Sequence, residues 1–409
     1  MRISGFRCAL STSVAFALVA GCGGSQPPIA APTALLQSAR GATSAHHFVA
    51  ENARGRLHYL YTFKGDHDGH VPEASLVEMN GTFYGTTFKG GVRNSGTVFV
   101  VTPSGKEQVL HSFGKHDDGA YPTAGLTEAN GTLYGTTESG GAYLCESLRV
   151  CGTVFSIDSA GHERVLHSFG SGSDGYKPAS GLLNVNGMFY GTTVYGGAYH
   201  GGTVFSVSTN GRENVVYNFG SSKYDGCEPW AGLIDVSDTI YGTTSNCGVY
   251  VRGTVFSLSL SGSEQVLHSF GYGSDGSYPV TGLLDVRGTL YGTTESGGAN
   301  GNGNGTVYSI STSGNEQVIY DFDYQYGANP SGLVDMGSAL YGTATGGPRD
   351  DGFIFTVTPS GNEHLLYDFG RRGGSAPVAA LIDAGGKLFG TTAYGGNGFG
   401  TVFSVKPSH

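Results

Sequence analysis

Acidic side chains recur at fixed spacing in this sequence of 409 residues and are the first candidates for chemistry. Asp-Gly pairs occur repeatedly, and the densest acidic groups combine Asp66 with Asp68 and Asp117 with Asp118. Because Ca²⁺ takes oxygen ligands, these four aspartates are weak calcium candidates. Asp-Gly is also common in tight turns, and its repetition along the chain favours that structural role. We therefore expect no resident metal or other cofactor.

Histidine and tyrosine alternate at a second repeated position. His111, His167 and His268 stand where other copies of the same pattern carry Tyr61, Tyr217, Tyr320 and Tyr367. This position is expected on the outer strand of separate repeats, so the three histidines are too far apart to share one metal. The exchange with tyrosine indicates a packed ring with a polar tip.

Three sequence motifs with well-understood catalytic or phosphate-binding roles are absent from the sequence. It contains no G-x-S-x-G nucleophile elbow, no H-E-x-x-H zinc site and no G-x-x-x-x-G-K-[ST] phosphate loop. We assign no catalytic residue, and the sequence favours a non-enzymatic role.

These residues belong to seven copies of one Gly-rich repeat, which is the dominant signal in the sequence. The element Tyr84-Gly-Thr-Thr recurs at intervals of 48 to 56 residues, and each copy is followed by a GTVF-type and then an LHSF-type element. Gly accounts for 71 residues, whereas 24 Tyr and 22 Phe can fill a core. Val, Leu, Tyr, Phe and Thr dominate the runs between turns, as strands prefer.

Each copy predicts four short antiparallel strands, here labelled a to d. Examples are strand a at 124–129, b at 132–137, c at 153–157 and d at 107–113, with an Asn-Gly turn between a and b. Seven such units predict an all-β, seven-bladed β-propeller. A lone d-type strand at 57–63 and a lone c-type strand at 400–405 predict that the N-terminal strand completes the last blade. The alternative, an open solenoid, needs polar capping repeats.

The N-terminus predicts export. Arg2 and Arg7 precede an apolar run at 14–20 that is too short to span a bilayer. Leu18-Val-Ala-Gly-Cys22 resembles the lipobox of bacterial lipoproteins, in which the Cys is lipidated. We expect a signal peptide at 1–21, lipidated Cys22 with a flexible tether at 22–55, and the propeller at 56–409. The lack of Asp after Cys22 favours the outer membrane by resemblance to enterobacterial sorting rules; an ordinary signal peptide is the alternative.

A longer run resembles a named family. Gly140-Gly141, GTVF at Gly152 and Gly-x-Glu-x-Val-Leu-His-Ser-Phe ending at Phe169 are similar to the GloVer tandem repeat. Such repeats occur in exported bacterial proteins. The resemblance covers nearly all of residues 57–405 and implies no particular activity.

Variable loops are expected on one face of the propeller. The d–a and b–c loops share that face and differ between copies, and function in repeat proteins usually maps to such a face. The candidate ligand-contacting residues there are Tyr143, Arg149, Tyr199, His200, Tyr250, Arg252, Asp350 and Trp230. Loop drift explains the variation equally well, and Trp230 could instead be a hydrophobic plug.

Four cysteines also fall on this face. Cys145 and Cys151 flank an insertion in one b–c loop, and Cys227 and Cys247 lie in the d–a and b–c loops of one blade. An even count in an exported protein suggests disulfides.

The sequence favours a binding or scaffold module at the cell envelope, engaging a glycan, peptide or partner protein. The alternative is a polysaccharide-directed lyase or hydrolase acting in the central funnel. A net charge of −10 argues against nucleic acid, and we expect a monomer that meets the membrane only through its lipid anchor.

Overall fold

The protein is built from strands, as the repeat predicts. The computed structural model describes residues 57–407 except 116, 144–150, 300–302, 324–328, 348 and 371–372. Within these residues seven four-stranded antiparallel sheets form a seven-bladed β-propeller, and no helix is present. No apolar helix of membrane-spanning length occurs in this described part of the chain. The predicted signal peptide, Cys22 and tether lie outside it.

The strand bounds repeat from blade to blade. Strands a are Val77–Met79, Thr127–Ala129, Leu183–Val185, Ile234–Val236, Leu284–Val286, Pro330–Asp335 and Ile382–Ala384. Strands b are Thr82–Thr87, Thr132–Thr137, Met188–Thr193, Thr239–Thr244, Thr289–Thr294, Leu340–Ala344 and Lys387–Thr392. Strands c are Thr97–Val101, Thr153–Asp158, Thr203–Ser208, Thr254–Ser259, Thr306–Ser311, Phe353–Val357 and Thr401–Val405. Strands d are Glu107–Ser112, Glu163–Ser168, Glu213–Asn218, Glu264–Ser269, Glu316–Asp321, Glu363–Asp368 and, for blade 7, Leu57–Thr62.

The N-terminal strand closes the ring. Leu57–Thr62 pairs antiparallel with Thr401–Val405, with Leu57 opposite Val405 and Thr62 opposite Thr401. Blade 7 therefore takes its outer strand from the start of the propeller, as predicted, and no open edge is left at the junction.

Most inner strands are shorter than expected. Strand a of blade 2 covers Thr127–Ala129 rather than 124–129. The reason is that the carbonyl of Ala124 accepts a hydrogen bond from Thr86 Oγ1 of blade 1 at 3.2 Å, so this stretch is committed to the neighbouring blade.

Two short ladders add to the loop-bearing face. Gly119–Ala120 pairs with Ser139–Gly140, and Gly226–Cys227 pairs with Asn246–Cys247. Each ladder joins the loop entering a blade to the loop after its strand b, so these two loops are held side by side.

Aromatic rings couple each blade to the next. The Phe that ends one strand d packs edge-on against the ring of the next blade's GTVF element, with centroids 5.1 Å apart for Phe219 and Phe256. That second ring also lies over the Gly of its own Tyr-Gly-Thr-Thr element. A Cβ on Gly242 would lie 2.7 Å from Phe256 Cζ. The repeat therefore needs glycine here so that the aromatic ring can occupy the space.

The two threonines of the same element have different partners. The first donates to a carbonyl of the following blade, as Thr136 Oγ1 does to Ser180 O at 2.9 Å. Thr391 does the same to Ala74 O at 3.2 Å, across the ring closure. The second lies 2.8 Å from the Thr of the GTVF element, as Thr137 Oγ1 does from Thr153 Oγ1. The Tyr-Gly-Thr-Thr tetrapeptide thus supplies a packed ring and a glycine that leaves space for a neighbouring aromatic ring. It also supplies one hydrogen bond between blades and one within a blade.

Gly242→Ala is expected to lower the free energy of unfolding by about 1–3 kcal/mol, because its Cβ overpacks against Phe256 and Leu233. The matched control is Gly232→Ala in the same blade, where a Cβ would meet nothing within 4 Å and should change stability by at most about 0.5 kcal/mol. Guanidinium unfolding followed by circular dichroism compares the two. Equal unfolding midpoints for Gly242→Ala and Gly232→Ala would show that the aromatic ring does not require a glycine at position 242.

Candidate functional site

Blades 3 and 4 form a pocket on the loop-bearing face. The amide of Glu228 donates to Gly201 O at 2.8 Å, and the amide of Gly248 donates to Asp225 O at 2.8 Å. These bonds hold three loops around a cavity of about 380 Å³. It is lined by Tyr199, His200, Gly201, Gly220, Ser222, Lys223, Cys227, Glu228, Cys247, Gly248 and Val251.

The lining combines an aromatic wall with charged groups of both signs. Tyr199 is 56% exposed, so its ring is available to a ligand. His200 and Lys223 are also exposed, whereas Glu228 is half-buried and accepts a hydrogen bond from Asn246 Nδ2 at 3.0 Å. An oriented carboxylate, an ammonium and an open aromatic face suit a polar ligand that also carries apolar C–H surface.

A disulfide stiffens this pocket. Cys227 and Cys247 are joined across the short two-stranded ladder, with their Cα atoms 5.3 Å apart. This confirms the predicted pairing in blade 4 and ties the d–a loop to the b–c loop beside Glu228. Of the other predicted pair, Cys151 is buried and disulfide-bonded, and Cys145 lies outside the described residues.

The b–c loops share one unusual backbone position. Asn94, His200, Val251 and Asp350 occupy it with positive φ angles of 54°, 63°, 57° and 57°. Asparagine and aspartate tolerate the left-handed region, but a β-branched side chain is strained there. Val251 is also 63% exposed, so its apolar side chain gains little from burial. A strained and exposed valine at a pocket edge is therefore a candidate functional position.

Two predicted contact residues flank Val251 on the same loop. Tyr250 is 44% exposed, and its ring lies 5.6 Å from that of Tyr272, which is 72% exposed. Arg252 lies over the Tyr278 ring at 5.0 Å and also hydrogen-bonds its hydroxyl. Tyr199, Tyr250 and Tyr272 are thus exposed aromatic rings on the loops of blades 3 and 4 and of the junction between blades 4 and 5.

The remaining predicted contacts lie on other blades. Tyr143 is 48% exposed on the b–c loop of blade 2, and Asp350 is exposed on that of blade 6. Neither lines the pocket between blades 3 and 4. Arg149 lies outside the described residues.

Trp230 is half-buried and already engaged. Lys177 Nζ lies 4.3 Å from the centroid of its ring, and the same ammonium is 3.8 Å from Glu138 Oε2. Glu138, Lys177 and Trp230 come from blades 2, 3 and 4, near the strands that surround the central channel. The ring face covered by Lys177 is not free to stack on a ligand.

Two carboxylates of this channel mouth are electrostatically coupled. Burial raises the pKa of Glu73, and the nearby Glu138 raises it further, while Lys89 acts in the opposite direction. Burial also raises the pKa of Glu138, and Lys177 offsets part of this effect. The mouth therefore gathers acidic groups from blades 1 and 2, but Glu138 is held in an ion pair.

The Asp-Gly turns and the His/Tyr position form one repeated contact. Asp68 Oδ2 accepts from the Tyr61 hydroxyl at 2.7 Å and from the amide of Lys64, while its Oδ1 accepts from the amide of Gly65. His111 Nε2 lies 3.1 Å from Asp118 Oδ2 in the same way. Of the other calcium candidates, Asp66 and Asp117 are exposed.

Sequence reasoning placed the d–a loops on the loop-bearing face but missed three of the pocket residues that one of them supplies. Ser222, Lys223 and Glu228 line the cavity, yet the predicted contacts came mainly from the b–c loops. The signal that could have found Glu228 is Cys227, because a disulfide to the b–c loop places the next residue beside that loop.

Val251→Asn is expected to raise the free energy of unfolding by about 1 kcal/mol, because asparagine accepts the left-handed conformation at lower cost. The chain itself offers the precedent, since Asn94 occupies the equivalent position in blade 1. Chemical denaturation measures the change, and Asn94→Val is the reciprocal control with the opposite sign. A lower midpoint for Val251→Asn would show that the valine is not strained.

Comparisons with known proteins identify a repeat family. The sequence profile described as the Gloeobacter/Verrucomicrobia repeat matches residues 47–185 and 145–348. No curated protein matches the chain.

Similar solved structures are remote. A putative 6-phosphogluconolactonase from Bacteroides uniformis is 17% identical, with a TM-score of 0.48 over 76% of this chain and 88% of that one. A gluconolactonase from Xanthomonas campestris is 14% identical, with a TM-score of 0.38 over 62% and 79%. The tricorn protease is 9% identical, with a TM-score of 0.42 over 78% of this chain, which spans only 27% of that protein. At this level, similarity says nothing about what the chain binds or does.

Proposed function

Because the chain belongs to the Gloeobacter/Verrucomicrobia repeat family and a polar, aromatic pocket lies where its copies differ, we propose that it is an exported binding module for a glycan at the cell envelope. The observation that carries this proposal is the pocket between blades 3 and 4. Sugars present both hydroxyl groups and C–H faces, and this pocket offers a partner for each.

The pocket residues divide this work by their chemistry. The exposed ring of Tyr199 offers a stacking face, and Lys223 and His200 offer hydrogen-bond donors. Glu228 accepts hydrogen bonds and is oriented by Asn246, so its position does not have to be fixed when a ligand arrives. The disulfide beside it lowers the cost of ordering the two loops.

The exposed aromatic rings favour a chain over a single sugar. Tyr250 adjoins Val251 of the pocket lining, and its ring lies 5.6 Å from that of Tyr272, so two further exposed rings lie beside the pocket. A linear glycan could occupy the pocket with one unit and lie across these rings with the next. A peptide or a partner protein is the competing ligand class, and the experiment below distinguishes them.

The observations favour binding over polysaccharide cleavage. A hydrolase or lyase needs a free acid and a free base that reach one bond. Glu73 and Glu138 do approach each other at the channel mouth, but Glu138 is paired with Lys177, and Lys177 covers Trp230. Glu228, the carboxylate of the pocket, has no second carboxylate among the described residues that line the cavity.

The proposal also includes the cellular location, through export and lipid anchoring at Cys22. The Cys227–Cys247 disulfide fits an oxidising location outside the cytoplasm. Attachment through Cys22 would place the binding face at the envelope, in a monomer with no other membrane contact and no nucleic-acid partner. Metabolic labelling with a fatty acid, compared between the wild type and Cys22→Ala, tests this part of the proposal separately.

Titration of the purified protein with envelope-derived oligosaccharides, followed by calorimetry, tests the ligand class. Tyr199→Ala should raise the Kd at least about tenfold, because an aromatic anchor is lost. Glu228→Gln and Lys223→Ala should also weaken binding. The matched control is Tyr394→Ala, which removes an equally exposed tyrosine (50%) on blade 7 and should leave the Kd unchanged.

Three results would overturn parts of this proposal. Binding that survives Tyr199→Ala but is lost in Trp230→Ala would move the site to the channel mouth. Binding of peptides alone would replace the ligand class. Release of shortened oligosaccharides would establish cleavage instead.

A further inference from the structure

A second cleft, on the outer rim between blades 1 and 2, gathers metal-ligating side chains. His111 lies on strand d of blade 1, Asp118 lies in the loop after it, and Glu163 begins strand d of blade 2. They meet because the turn before Glu163 packs on strand d of blade 1, where Gly161 approaches the carbonyl of Leu110 so closely that a Cβ would lie 2.6 Å from its oxygen.

The three groups are close and largely shielded from water. His111 Nε2 lies 3.1 Å from Asp118 Oδ2, and the side chains of these residues are 14% and 8% exposed. One nitrogen or oxygen from each of His111, Asp118 and Glu163 lies within 4.8 Å of the others. Among the described residues, this is the one group of three such side chains that meets this spacing.

One carboxylate oxygen in the cleft is buried without a partner. Glu163 Oε1 is shielded from solvent and accepts no hydrogen bond, which is costly for a charged group. Burial, assisted by the nearby charge of Asp118 and opposed by His111, raises the pKa of Glu163 to about 7. A cation between the carboxylates would satisfy this oxygen and remove their repulsion.

The repeat shows the same deficit in a second cleft. Asp225, the counterpart of Asp118, is only 4% exposed, and its Oδ1 has no hydrogen-bond partner. Glu264 Oε1 beside it is also unpartnered. There the third residue is Tyr217, which supplies no nitrogen. The rim of the propeller thus carries unpartnered buried acceptors at several junctions between blades. The cleft between blades 1 and 2 differs in holding an imidazole and two carboxylates at the spacing that a single ion needs.

We propose that His111 Nε2, Asp118 and Glu163 bind one divalent metal ion of the zinc class, with its remaining coordination position open to the cleft. Imidazole with two carboxylates suits Zn²⁺ and its first-row neighbours, whereas Ca²⁺ prefers oxygen ligands alone. The cleft has a volume of about 510 Å³ and is also lined by Asp117, Lys115, Val165 and Ser168. Its three carboxylates outnumber its one ammonium, so its charge attracts a cation.

Binding of this ion would have a mechanical consequence for the propeller. His111 and Asp118 lie on strand d of blade 1 and in the loop after it, and Glu163 lies on blade 2, so binding would link adjacent blades on the rim. It would displace the Nε2 proton of His111 where that nitrogen carries one. The open coordination position would hold water or a donor atom of a ligand. It would lie on the outer rim of the propeller, away from the central channel.

Equilibrium dialysis of chelator-treated protein against ZnCl₂ tests the proposal, with thermal unfolding as a second readout. We expect one tight site and a Zn²⁺-dependent rise in the melting temperature. His111→Tyr should weaken Zn²⁺ binding at least about tenfold and remove the rise, because one ligand is lost. Tyrosine already occupies this position in blades 3, 5, 6 and 7, so the variant is compatible with the fold.

His268→Tyr is the matched control, because it makes the same exchange in blade 4. There His268, Asp275 of the following loop and Glu316 of blade 5 do not meet the spacing. It should leave Zn²⁺ binding unchanged. Glu163→Gln should weaken Zn²⁺ binding as His111→Tyr does. If Glu163→Gln fails to fold, the comparison of His111→Tyr with His268→Tyr still tests the proposal. Absence of tight Zn²⁺ binding, or binding equal in the wild type and His111→Tyr, overturns the proposal. Preference for Ca²⁺ overturns the assigned ion class.

Discussion

The contact on which this propeller depends is the edge-on packing of one aromatic ring against another at every junction between blades. Phe113 meets Phe155 at 5.1 Å, and Phe369 meets Phe403 at 5.2 Å next to the closure. These four rings are completely buried. The second ring of each pair also fills the space above a glycine in its own blade. A blade cannot bury its faces alone, so the ring of contacts and the ring of blades form together.

The same contact explains which residues are committed to structure. The glycine of Tyr-Gly-Thr-Thr must stay small, its first threonine bonds the next blade, and its second bonds strand c. The Asp-Gly turn anchors strand d through its His or Tyr partner. Residues of this kind recur because each junction needs them, and their recurrence carries no evidence of catalysis. Freedom to vary is left to the loops of one face and to the rim.

Blade number and ring closure were predictable because they rest on local properties. Turn chemistry and strand length are visible in each copy, and the unpaired strands at 57–63 and 400–405 can satisfy each other only by pairing. The meeting of His111 with Glu163 was not predictable. These residues belong to different blades and come together only through the twist of each sheet, which turns the outer strand of one blade across its neighbour. The pocket shows the same limit, because Lys223 depends on how three loops pack.

The loops also show how one repeat can acquire a specific site without losing its fold. Asn94, His200, Val251 and Asp350 keep the same left-handed backbone while their side chains change from amide to imidazole, isopropyl and carboxylate. The backbone shape is set by the glycines and hydrogen bonds around it, such as Val251 N to Gly248 O at 3.3 Å. Chemistry can therefore be exchanged at this position at a cost of only local strain. Because blades 3 and 4 place two such positions and a disulfide around one cavity, their junction is where divergence of the copies has produced the candidate binding pocket.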